Sequence, residues 1–152
     1  MMEKDVLYIS SEKIDYISSI VNDGGIVPLL VSGNSMRPFI SSSGDTVYLC
    51  KCNIDEIHKG MILLYRRGDK TVVLHRVKNI IGETYQMNGD AQSWCEYIDK
   101  NNIIAKVIKY THKGKEIDPE SFTQKTLQLI WRLCFKIRPY LFSIANKVKK
   151  GS

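Results

Sequence analysis

Val31-Ser32-Gly33-Asn34-Ser35-Met36-Arg37-Pro38 decides how this 152-residue chain is read. The apolar run Ile26 to Val31 leads into it, and Pro38 prevents the backbone from continuing as a regular element. The stretch reads in two ways. It is an ordinary loop rich in turn formers. Or Ser35, placed after a strand and a glycine on a tight exposed turn, offers its hydroxyl to a substrate while nearby backbone N–H groups stay free to meet an oxyanion.

Outward from this turn the pattern is strand and turn as far as about Tyr110. Gly44-Asp45 precedes Thr46 to Cys50, and Lys59-Gly60 precedes Met61 to Tyr65. Arg67-Gly68-Asp69-Lys70 is a hairpin turn into Thr71 to Val77. Glu83 to Met87 is a further short strand, Asn88-Gly89-Asp90 turns, and Ile103 to Tyr110 closes the series. β-Branched runs between turn signals predict a mainly β protein with an antiparallel, coiled sheet. Ahead of it, Ser10 to Asn22 predicts a short amphipathic helix: Ile14, Ile17, Ile20 and Val21 fall at helical spacing, Ser10 or Ser11 caps the start, and Gly24 ends it. One helix is too few for a helix-turn-helix. The expected division is an N-terminal helix over 1–25, a β-rich core over 26–118 and a basic amphipathic helix over 119–152.

That last segment carries the charge. Residues 1–111 hold 13 Lys and Arg against 13 Asp and Glu, whereas residues 112–152 hold 9 against 3, so the whole excess of +6 sits in the last quarter. Leu127, Ile130, Cys134, Ile137, Leu141, Ile144 and Val148 share one helical face, with Lys125, Arg132, Lys136, Lys147 and Lys150 opposite. Trp131, Phe135 and Phe142 widen the apolar side, and Pro139 predicts a kink or split. Such a helix either packs on the domain with a solvated basic face, or lies in an anionic membrane surface or docks a partner.

Four cysteines, Cys50, Cys52, Cys95 and Cys134, show no Cys-x-x-Cys spacing, and Cys50 and Cys52 would share a strand face. Reduced, mostly buried thiols in a cytosolic protein are expected, with no metal and no cofactor. Met1 to Ser10 has no apolar core of signal-peptide length, and no run approaches the roughly 18 apolar residues of a membrane span.

Three pieces line up in order: Ser35 within Ser-Gly-Asn-Ser-Met-Arg-Pro, then Gly44-Asp45-Thr46-Val47, then Val72-Val73-Leu74-His75-Arg76-Val77. From about Ile26 to Val107 this resembles the superfamily that joins signal peptidases to the self-cleaving LexA-type repressors. The resemblance implies the LexA and signal-peptidase-like fold, with Ser35 as nucleophile and His75 as general base. Bacterial signal peptidases carry lysine at that position. The endoplasmic-reticulum and archaeal type carries histidine, followed as here by Arg and Val. Histidine, ordinarily titrating near pH 6.5, takes a proton at neutral pH without the desolvation a lysine needs. In histidine-type relatives an acid follows a Gly-Asp turn. Here Asp90 matches that Asp, while Glu96 stands where a second acid, usually Asp, is found. Either could orient the imidazole, and Asp90 could equally be a turn former.

The Ser35 N–H is expected to meet the oxyanion, with Ser32 or Asn34 beside it, and Met36 and Pro38 are expected to shape and line the site. Arg76 is expected to pair with an acid or a carbonyl, and His58 and His112 to be surface residues. No N-terminal anchor of the signal-peptidase kind is expected, and the sequence shows neither the helix-turn-helix nor the Ala-Gly bond of LexA-type proteins. The expected activity is a serine endopeptidase acting on a leader or export peptide with small residues at the cleaved bond. Its expected location is cytoplasmic, against the inner face of a membrane or a transporter through residues 121–150. The alternatives are a non-catalytic LexA-like regulator with a basic tail, or a protease with that segment packed into its core. The charge-balanced sheet region argues against nucleic acid as a partner.

Overall fold

In the computed structural model, residues 10–151 are described. All but one of the residues of the Met1 to Ser10 leader reading lie outside that range. The elements are α1 (Ser11–Asn22), β1 (Val27–Leu30), β2 (Thr46–Cys50), β3 (Ile62–Arg66), β4 (Val72–Ile81), β5 (Thr84–Asn88), β6 (Glu96–Asp99), β7 (Ile103–His112), β8 (Lys115–Ile117), α2 (Phe122–Leu133) and α3 (Arg138–Lys150). The eight strands form one antiparallel sheet in the order β1-β2-β7-β3-β4-β5-β6, with β8 on β7.

Local chemistry sets most of these boundaries. The Ser10 side chain accepts from the Lys13 N–H and caps α1. At the β3–β4 hairpin, the Lys70 N–H donates to Arg67 O over 3.0 Å and the Arg67 N–H to Thr71 O over 2.8 Å. That turn pairs Leu63 with His75 and Ile62 with Arg76.

Strand alternation then divides the core in two. Ile62, Leu64, Val72 and Leu74 join Met36, Ile40 and the α1 residues Ile14, Ile17 and Val21 in one cluster. Leu63, Tyr65, Val73, Val77, Tyr85, Met87 and Ile98 form a second. The apolar run of β4 is therefore buried on both faces, as a central strand requires. Its two polar residues part company: His75 stands on the Tyr65 face and Arg76 on the opposite one.

The C-terminal segment splits as Pro139 suggests, but it packs by a different face from the one its periodicity marks. It is two helices, separated at 134–137, with Pro139 in the first turn of α3 where its missing N–H costs nothing. The stripe from Leu127 to Val148 is not the packed face. Leu127, Ile130, Ile137, Ile144 and Val148 are all exposed, as are Phe122, Leu129, Leu133 and Tyr140. The residues buried from these helices are Gln128 and Arg138. Trp131, Phe135 and Phe142 turn inward with them: Arg138 stacks on Trp131 and Phe135, and Phe142 meets Trp131 edge-on at 5.9 Å. Hydrogen bonds, rather than the apolar periodicity, select the docked face.

Candidate active site

β4 delivers His75 to the interior, where 1% of its surface is exposed. Its Nδ1 lies 2.9 Å from the Tyr65 hydroxyl and 3.2 Å from Glu96 Oε1. Tyr65 donates to the same Oε1 over 2.5 Å, and Arg67 grips both carboxylate oxygens at 2.7 and 2.8 Å. Trp94 closes the group, its ring edge-on to His75 at 6.2 Å and beneath the Arg67 guanidinium at 5.8 Å.

These partners assign the histidine tautomer. The single phenolic proton of Tyr65 goes to Glu96, an acceptor only, so Nδ1 must carry a hydrogen to bond either neighbour. Nε2 is left as the basic nitrogen. Burial raises the Glu96 pKa, but hydrogen bonds from His75, Arg67 and Tyr65 outweigh it and hold the carboxyl at about 2. Burial, reinforced by Glu96, pushes the Tyr65 phenol far above its ordinary range. Glu96 is thus a fixed negative charge beside Nδ1, the arrangement that stabilises an imidazolium.

Ser35 sits on the turn that follows β1, and it is 7% exposed rather than on the exposed turn the sequence suggests, because the 89–95 loop packs against it. That turn is fastened on both sides. The Ser42 N–H and hydroxyl both donate to Asn34 Oδ1, and Asp45, nearly fully buried, accepts from the Ser41 N–H at 2.8 Å. His112 bonds the same Asp45 carboxylate at 2.7 Å, so it is a half-buried support of the turn rather than a free surface histidine. Burial raises the Asp45 pKa, and the His112 and Ser41 bonds bring it below its usual value.

One loop, residues 89–95, touches both halves. The Ala91 N–H donates to Ser35 O over 2.8 Å, and Trp94, three residues on, reaches His75. Gly89 is required for this approach: a Cβ there would lie 2.8 Å from Ser35 O and 2.5 Å from the Gln92 side chain. The Ser35 hydroxyl itself makes no hydrogen bond to His75, and its N–H donates to no group among the described residues.

The two candidate acids separate. Glu96 contacts His75, whereas Asp90 forms a buried pair with Arg76, with bonds of 2.7, 3.0 and 3.2 Å. Arg76 also donates to Gly60 O over 2.8 Å. Register is the cause. Glu96 pairs with Met87 and Met87 with Val77, so Glu96 shares the His75 face, while Asn88, ahead of Asp90, pairs with Arg76. Asp90 thus holds the base of the loop and does not reach the imidazole.

Of the remaining expected site residues, Asn34 lines the cavity beside Ser35, and Ser32 is exposed. Met36 is 2% exposed and belongs to the core, not to the site lining, because the turn folds it inward against Ile40 and Val31. His58 is exposed and pairs with Glu120. All four thiols are free and half-buried, and β2 ends at Cys50, so Cys52 does not share its strand. Among the described residues no group of three His, Cys, Asp or Glu side chains converges as a metal site would.

Tyr65, Arg67 and Trp94 escaped the sequence reading. The hairpin turn was a usable signal for Tyr65, since it places that residue one diagonal step from His75 on the same face. Beside Ser35 opens a cavity of about 730 Å³, walled by Asn34, Arg37, loop residues Ala91 to Trp94 and the α3 face of Pro139, Phe142, Asn146, Lys147 and Lys150. No protein-family model, no curated protein and no solved structure matches the chain.

Proposed function

We propose that the chain is a serine endopeptidase resembling the signal peptidases and LexA-type proteins, working through Ser35, His75 and Glu96. The observation that carries this is His75, buried, with Nδ1 held by Glu96 and Tyr65 and Nε2 left basic. Ser35 Oγ attacks the scissile carbonyl carbon as its proton passes to His75 Nε2, and the new oxyanion is met by the Ser35 N–H. The imidazolium returns that proton to the leaving amine, the C–N bond breaks, and an acyl ester remains on Ser35. Water, deprotonated by the same nitrogen, resolves the ester. Glu96 keeps its charge throughout. The cycle requires the Ser35 hydroxyl to turn toward His75 when substrate seats, and such bonds are often unmade in an empty site. Substrates are leader or export peptides with Ala, Gly or Ser beside the cleaved bond.

The same proposal places the protein on an anionic lipid surface. Support comes from the exposed apolar residues of α2 and α3, among them Phe122, Leu133, Tyr140 and Val148, flanked by lysines. No helix among the described residues is long and apolar enough to cross a membrane. Flotation with phosphatidylglycerol vesicles, and not with phosphatidylcholine alone, is the expected result.

A fluorophosphonate should form an adduct at Ser35 that is lost in Ser35→Ala and in His75→Ala. Peptidase activity surviving both substitutions would sink the proposal.

A further inference from the structure

We infer that the cavity beside Ser35 is a binding cleft for an acidic peptide segment, with Arg37, Lys147 and Lys150 as its recognition groups. This rests on the endopeptidase proposal for what the bound peptide is for, but not for its charge preference.

The cleft has an apolar floor and a cationic rim. Trp94, Ala91, Pro139 and Phe142 supply the floor; Arg37, Lys147 and Lys150 supply the charge, and no carboxylate of the described residues lines it. The nearest acids are already committed, Asp90 to Arg76 and Glu96 to Arg67 and His75. None of the ion pairs among the described residues uses Arg37, Lys147 or Lys150. Arg37 lies over the Phe142 ring at 5.8 Å, which ties the serine turn to α3 and leaves the guanidinium edge for a ligand.

Three cations that pair with no acid among the described residues raise the potential around one concavity, which a carboxylate-bearing ligand neutralises. The position selects a peptide. Ser35 and His75 are not in the cleft wall, but their neighbours are: Asn34 and Arg37 lie on the Ser35 turn, Ala91 holds the Ser35 carbonyl, and Trp94 meets His75, so a chain laid along this cleft borders the serine turn. The face of α3 that walls the cleft, Phe142, Asn146, Lys147 and Lys150, is also distinct from its exposed stripe of Tyr140, Ile144 and Val148. Lipid and peptide thus have separate faces of one helix.

The test uses the full chain carrying Ser35→Ala and three fluorescein-labelled peptides of equal length: Ala-Glu, Ala-Gln and Ala-Lys repeats. Fluorescence anisotropy should show the Ala-Glu peptide binding about tenfold more tightly than Ala-Gln, with the preference shrinking as salt rises. Lys147→Gln/Lys150→Gln should abolish the preference, and Lys147→Glu/Lys150→Glu should reverse it toward Ala-Lys. With circular dichroism unchanged, a preference that survives both variants overturns the inference. On the wild-type serine, the Ala-Glu peptide should slow fluorophosphonate labelling; binding without slowing puts the charge site off the cleft and also overturns it. If the variants lose phosphatidylglycerol vesicle binding while peptide preference is absent in the parent, lipid is the occupant and the inference fails. Charge-selective binding together with no labelling of Ser35 supports the acidic cleft and counts against hydrolysis alone.

Discussion

Tyr65 and Glu96 share a 2.5 Å hydrogen bond, and through it the phenol determines which nitrogen of His75 carries hydrogen. Tyr65→Phe removes the donor and leaves Nδ1 to Glu96 alone. About tenfold slower fluorophosphonate labelling of Ser35 is expected, with a stability loss of about 1–2 kcal/mol by urea titration. Glu96→Gln removes the charge as well, and should slow labelling by about 10³-fold or more.

Acid should expose the same carboxylate. Glu96 titrates ordinarily at 4.5 and is held at about 2 in the folded chain. A folded value below the unfolded one stabilises above pH 4.5, and that stability drains as pH falls toward 2. The contribution is at most about 3 kcal/mol at neutral pH. The gap in urea midpoint between wild type and Glu96→Gln should be full at pH 6, narrower at pH 3 and nearly closed by pH 2.

Gly89→Ala should be costly although it removes no functional group. Its Cβ would sit 2.8 Å from the Ser35 carbonyl, so turn and loop must separate. A loss of about 1–3 kcal/mol is expected, together with slower labelling of Ser35. Gly68→Ala has open space around it and ordinary backbone, and should change stability by less than about 0.5 kcal/mol.

Arg138 anchors α3 under the same loop. It is 2% exposed and donates to Asn88 Oδ1 at 2.6 Å, Gln92 O at 2.9 Å and Gly89 O at 3.3 Å. Trp131 adds an indole N–H bond to Asp90 O at 2.6 Å. Burial pushes the Arg138 pKa down, but these acceptors suit its charged form. Arg138→Met leaves Asn88 Oδ1 without its donor, while Gly89 O keeps the Gln92 N–H and Gln92 O keeps the Asn88 amide, and should cost about 1–3 kcal/mol by thermal unfolding. Faster hydrogen exchange at Ala91 and Gln92 would mark the loosened loop; unchanged exchange there would refute an anchoring role.

Local signals carried much of the fold. α1 follows from the spacing of Ile14, Ile17 and Val21 with its Ser10 cap, and β2, β3, β4 and β7 follow from β-branched runs bounded by Gly-Asp, Lys-Gly and the Arg67–Lys70 turn. β6 and β8 were missed because four and three residues are too short to show alternation against their flanks.

The sequence by itself determined the strand-and-turn order and singled out Ser35, His75 and the two acids, because turn chemistry and alternation act over a few neighbours. Only the tertiary structure decided between those acids. Residues six apart in a loop are equivalent until strand register puts one on each face of the sheet, Glu96 with His75 and Asp90 with Arg76. It likewise decided that α2 and α3 dock through Trp131 and Arg138, leaving Leu133 and Val148 in the open. A helical wheel ranks faces by hydrophobicity, whereas Asp90 O and Asn88 Oδ1 in the 88–92 segment take their donors from Trp131 and Arg138, and a buried polar group without a partner costs more than an exposed leucine.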